Sequence, residues 1–216
     1  MTNKKNTTKS WAFLPIIGLF ALFGYFVGSY AARSGVDLPQ IFGPSASTSH
    51  AVAMGIATIY LLVGILLLIA VASPRLAEGM LKGADSQDII DNPPMYALQA
   101  FAMVSFGLAL AVVASAGEGA VLSPRAGGIG FAVLMLAGCI AYWRSLPLLD
   151  ELLKVASIES AALTYGGLLL LIGTWAAYAH LGFLTAPTML DLLSAFWGVS
   201  LVATLVASAR RGMIQD

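Results

Sequence analysis

The stretch AVAMGIATIYLLVGILLLIAVAS, residues 51–73, contains no Asp, Glu, Lys or Arg and is apolar from end to end. A helix rises about 1.5 Å per residue, so roughly 20 such residues cross the hydrocarbon core of a bilayer. In lipid every backbone N–H and C=O must be satisfied inside the segment or by a closed barrel. A barrel strand would alternate apolar and polar residues, and this stretch does not. It therefore reads as a membrane-spanning α-helix.

Five further stretches read the same way: 11–31, 95–116, 127–143, 160–178 and 190–209. The chain as a whole agrees, with 59% apolar and 10% charged residues over 216 positions. Soluble domains carry about 25% charged residues. The expectation is one all-α polytopic bundle of six transmembrane helices occupying 1–216. The connections between its spans are too short to fold alone.

Threading the chain through six crossings sorts its 11 Lys and Arg unevenly. Lys4, Lys5, Lys9, Arg75, Lys82, Arg144, Lys154, Arg210 and Arg211 fall on one face, and Arg33 and Arg125 on the other. Short cytoplasmic loops retain Lys and Arg, which predicts cytoplasmic N- and C-termini in a bacterial-type inner membrane. The populated face holds eight acids against its nine cations and the other three against two, so neither is a basic platform. Nucleic acid is not an expected partner; the lipid bilayer is.

The first stretch follows three lysines and ends in Ser29-Tyr30-Ala31, which invites comparison with a cleaved secretory signal. Signal cores run about 7–15 residues. This one is longer, rich in aromatics, and has Gly24 and Gly28 one helical turn apart, so it is read as a retained span.

Sliding the chain by 73 positions sets Pro74-Arg75-Leu76-Ala77-Glu78 on Pro147-Leu148-Leu149-Asp150-Glu151, with apolar helices before and after each. That suggests a duplicated unit of helix, juxtamembrane segment and helix. An even number of crossings separates the copies, so the repeat would be parallel, about an axis along the membrane normal. Asp91-Asn92-Pro93-Pro94 predicts a helix start, an N-cap followed by proline where its missing N–H costs nothing. From 148 to 165 no breaker intervenes, which predicts an amphipathic helix running directly into the fifth span, with Glu151 and Lys154 paired on its wet side.

No catalytic motif is present, and the residues that carry chemistry are few. Glu159, Gly166, Gly173 and His180 recur every seven positions, which keeps a helical stripe on one face with about 20° of drift per step. Read functionally, Glu159 and His180 would end an ion or proton path through the fifth span, since ionisable groups in membranes mark such paths. Read structurally, both lie where interface water reaches them, and the glycines serve close helix packing. The same packing pattern recurs in Gly24 and Gly28, in Gly107, Ala111 and Ser115, and in Ser200, Thr204 and Ser208. Gly24 and Gly28 are the expected partner-facing surface.

Asp85, Asp88 and Asp91 sit three apart, a spacing that would suit a hard cation on a regular helix. The nearby glycines and prolines argue against such a helix and against a metal. His50 and His180, 130 positions apart, offer neither a metal-ligand spacing nor a Ser, His and Asp arrangement, and could hold a haem only at the outer surface. The one cysteine, Cys139, excludes an intrachain disulfide. Trp11, Trp143 and Trp175 lie near span ends, as interface anchors do. The expected function is non-catalytic and cofactor-free: an accessory or scaffold subunit acting through helix contacts with a membrane protein partner or a second copy. The alternative is a small ion- or proton-coupled channel or transporter using Glu159 and His180, with Gly127, Gly128 and Gly130 as a hinge.

Overall fold

The computed structural model describes residues 47–73 and 84–211, with side chains from 87 onward in the second stretch. The expected first span, with Gly24 and Gly28, and the Pro74 end of the repeat lie outside these residues. The described chain is helical: α1 (Thr48–Ala72), α2 (Ala84–Asp91), α3 (Pro93–Ala114), α4 (Pro124–Ser145), α5 (Glu151–His180) and α6 (Met189–Arg210). All but α2 are long and apolar enough to cross a membrane. These five overlap the expected spans 51–73, 95–116, 127–143, 160–178 and 190–209; α1 and α3 begin and end slightly earlier than expected, and α4, α5 and α6 run longer at both ends.

Those ends follow from local chemistry. Asn92 precedes Pro93 and Pro94 at the start of α3, as the sequence predicts. Ser123 Oγ accepts the Ala126 N–H at 3.3 Å, and Asp150 Oδ1 accepts the Leu153 N–H at 2.7 Å, each satisfying a donor that an α-helix leaves orphaned. At α6, Thr188 Oγ1 accepts the Asp191 N–H at 3.1 Å while Asp191 Oδ2 accepts the Thr188 N–H at 2.8 Å, a reciprocal capping box. Between α3 and α4 the turn closes through Gly117 N–H to Leu122 O and Leu122 N–H to Ser115 O, with Gly119 at φ 76°.

Two expectations are corrected. A regular helix through Asp85, Asp88 and Asp91 was doubted because of flanking glycines and prolines, yet α2 carries all three. The breakers fall outside it, and the buried Ile89 holds it against Ala70 of α1. The fifth stretch was also read as α-helix throughout, whereas Leu169–Gly173 in the middle of α5 winds as a π-helix.

Around the core the spanning helices form a row in the order α4, α3, α1, α6, α5, each packed on the next, with α6 also touching α3. The core gathers Ala53, Ala57 and Tyr60 of α1, Leu110 and Ala114 of α3, and Trp197 of α6. Lipid tails are as apolar as leucine, so helices here associate by close van der Waals approach, and small residues permit it. A Cβ at Gly107 would meet the Ala57 carbonyl at 3.1 Å and Tyr60 Cβ at 3.0 Å; one at Gly64 would meet the Val104 backbone N at 3.0 Å. Glycine is required where these backbones touch.

Candidate functional site

Polar chemistry concentrates at the two ends of α6. At its C-terminal end, Arg211 places Nη2 2.8 Å and Nε 3.0 Å from Oε2 of Glu159, and Arg210 Nη1 lies 3.4 Å from Oε1. One carboxylate thus gathers two guanidiniums and ties the early turns of α5 to the last turn of α6. One turn further in, Ser160 Oγ and Thr204 Oγ1 meet at 2.9 Å across the same helix pair. Thr204 also donates to the Ser200 carbonyl at 2.9 Å. Ser200 and Ser208 are half-buried. At the same end of the bundle Glu151 and Lys154 pair at 3.2 Å, as the sequence predicts.

His180 stands exposed in the last turn of α5. It lies 21 positions after Glu159, which corresponds to roughly 30 Å of helix, the thickness of the hydrocarbon core. The π turn lies between them and changes the angular step, so Glu159 and Gly166 do not share a straight stripe with Gly173 and His180. Gly166 has no atom within 4 Å of where its Cβ would sit, and Gly173 has only Leu169 of its own helix. The glycine that meets α6 is Gly167, against Val199 at 2.8 Å. Among the described residues nothing covers Gly166 or Gly173, which lie beside the exposed side chains of Tyr165, Leu169 and Leu170.

The opposite end of α6 brings together residues that the sequence keeps 141 positions apart. Asp191 accepts hydrogen bonds from Thr188 and Ser49 and lies beside His50. Ser47 presents its backbone N–H at 3.3 Å and its Oγ at 3.0 Å to His50 Nδ1. Serine, histidine and aspartate thus converge here, against expectation, but in capping order: Asp191 holds Ser49 and Thr188, while Ser47 closes the first turn of α1. The signals were present as two N-cap patterns, Ser47-x-x-His50 and Thr188-x-x-Asp191, each legible alone. Their meeting was not.

Elsewhere, Trp175 Nε1 donates to the Thr185 carbonyl at 2.9 Å, holding the α5–α6 turn over an open apolar groove lined by Leu170, Leu171, Thr174, Tyr178 and Leu184. The groove starts at the π turn. Gly127 packs against Ala116 and Gly130 against Val112, so two of the three glycines read as a hinge close the α3–α4 contact, while Gly128 is open. Asp91 accepts from Gln87 at 3.0 Å, and among the described residues no three His, Cys, Asp or Glu side chains cluster as metal ligands. Cys139 is exposed on α4.

Searches with this chain against protein-family models, curated proteins and solved structures found no match.

Proposed function

We propose that this protein is a non-catalytic accessory or scaffold subunit of a bacterial-type inner membrane, working through contacts between its helices and a membrane protein partner. The observation that carries the reading is the outward face of α5. Only 6% of its most apolar window is buried, and Gly166 leaves, among the described residues, an open notch beside the bulky Leu169 and Leu170 one turn along. Notches beside large side chains are what a second helix needs for close approach in lipid. Both termini are assigned to the cytoplasm, because Arg144, Lys154, Arg210 and Arg211 belong to the end of the bundle marked by the Glu159 ion pair, while Arg125 begins α4 at the other.

Purification in mild detergent tests it: a stoichiometric membrane partner should copurify with the native chain. Gly166→Leu, which fills a notch that touches nothing among the described residues, should remove that partner and leave the chain folded. Copurification unchanged by Gly166→Leu, or a chain that runs alone, counts against the proposal.

One observation favours the second reading, a small ion- or proton-coupled transporter. Irregular helix at membrane depth lies at substrate sites in transporters, and the π turn of α5 sits between Glu159 and His180. Flux in liposomes that is lost in both Glu159→Gln and His180→Ala would establish it. A scaffold would assemble normally with either change.

A further inference from the structure

The two guanidiniums at Glu159 do not share it equally. Arg211 gives Oε2 both Nη2 at 2.8 Å and Nε at 3.0 Å, whereas Arg210 reaches Oε1 only through Nη1, at 3.4 Å. The side chain of Arg210 is 61% exposed, and that of Arg211 33%. One carboxylate balances one cation, and Arg211 has the closer hold on it. Among the described residues, the charge of Arg210 is therefore in excess at this site.

Steps of three and four put Arg210 in line with Val206, Ala203 and Val199 on α6, and Glu159 in line with Leu163 and Gly167 on α5. Leu163, Gly167, Val199, Ala203 and Val206, together with Val202, line an open groove along the α5–α6 seam. The ion pair stands over the end of that groove nearest the membrane surface. Gly167 and Ala203 contribute at most a methyl, so the surface dips between larger neighbours, and the exposed Val202 leaves it open toward lipid. None of these residues has a polar side chain, so hydrocarbon is what the groove suits. At about 190 Å³ it is smaller than the roughly 300–1,000 Å³ of sites that enclose compact ligands. By helix rise it starts about 6 Å below Arg210, at Val206, and runs to about 16 Å, at Val199. An uncompensated cation at the surface above an apolar slot has the layout of a phospholipid, with phosphate outside and acyl chain inside.

We propose that this seam binds an anionic phospholipid, whose phosphate bonds Arg210 and whose acyl chain lies along Val206, Ala203 and Val199. A guanidinium offers five N–H donors in a planar fork that matches phosphate oxygens, and Glu159 engages a single nitrogen of Arg210. Arg211 is a positioning residue: it occupies Glu159 and keeps that carboxylate from claiming Arg210. A zwitterionic lipid brings its own ammonium to answer its phosphate, so the excess charge selects a net-anionic headgroup. The site requires neither a partner protein nor an ion path, and its failure would leave both readings of the protein's role standing.

Native mass spectrometry of the full-length protein, released from mixed micelles with equal phosphatidylglycerol and phosphatidylcholine, tests it. The wild-type chain should retain phosphatidylglycerol several-fold over phosphatidylcholine. Arg210→Gln should abolish that preference, while Arg144→Gln, which deletes a cation on α4 outside the groove, should leave it. Val202→Trp, which blocks the groove and keeps the charges, should lower phosphatidylglycerol retention several-fold. Arg210 and Val202 are both exposed, so these substitutions spare the packing. Glu159→Gln should raise retention by releasing both guanidiniums, a gain that a merely structural ion pair would not give. Glycerol phosphate, with the charge and no chains, should not compete at the lipid's concentration. Absence of preference in the wild type, equal loss in Arg144→Gln, retention unmoved by Val202→Trp or not raised by Glu159→Gln, or competition by glycerol phosphate would overturn the proposal. So would a polypeptide, second copy or partner, held in place of lipid and released by Val202→Trp.

Discussion

The two helix pairs that the sequence sets in correspondence, α1 with α3 and α4 with α5, behave differently. α1 and α3 pack along their length through Gly64 and Gly107. α4 and α5 part after the 3₁₀ turn Leu146–Leu148, and each spends its glycine elsewhere: Gly138 meets Phe106 of α3, and Gly167 meets Val199 of α6. Burial follows the same division, with 39% of the most apolar window of α3 enclosed against 6% for α5. Similar apolar patterns thus do not imply similar packing. In lipid the position of the small residue on the helix face selects the neighbour, and no hydrophobic drive corrects for a misplaced one.

The strongest way to break this contrast is Gly107→Leu. Its new side chain would press on the Ala57 carbonyl and on Tyr60 Cβ, which are backbone and near-backbone atoms that cannot swing aside. Overpacking of this kind costs about 3 kcal/mol, and the loss is expected in unfolding by SDS titration in mixed micelles. Next comes Tyr60→Phe. The buried Tyr60 hydroxyl donates to the Trp197 carbonyl at 3.1 Å and ties α1 to α6, so its removal is expected to cost about 1 kcal/mol in the same titration. Smallest is Thr204→Val, which deletes the bond to Ser160 and should cost about 0.6 kcal/mol. This last change should raise amide exchange in α5 and the end of α6 while leaving α1 and α3 protected. Were Thr204→Val to loosen α1 and α3 equally, the described helices would form one cooperative unit and the contrast would fail.

Much of the architecture was legible beforehand because its causes are local. A run of apolar residues at 51–73 or 190–209 marks a helix by length alone, and Asn92-Pro93-Pro94 marks a start by its missing donors. The pairing of Glu151 with Lys154 needed only their spacing. The regularity of α2 was misjudged because Gly83 and Pro93 sit just outside it, and a one-residue shift of a breaker decides whether it interrupts or borders a helix. The π turn in α5 left no mark in a run of leucines, since winding by i to i+5 changes no residue type. Of the candidate site, Glu159 was visible as an ionisable group near a span end. That it faces Arg210 and Arg211 depends on which helix lies beside α5, as the meeting of Asp191 with Ser49 and His50 depends on α6 lying beside α1.

Composition and apolar run length alone determined that this chain is built of membrane-length helices, because the cost of an unsatisfied backbone in hydrocarbon leaves so few alternatives. Which helices touch, which glycines they use and which charges meet was decided only in the folded arrangement. Neighbours in a bilayer are chosen by the shape of a helix face, and shape arises from residues far apart in the chain.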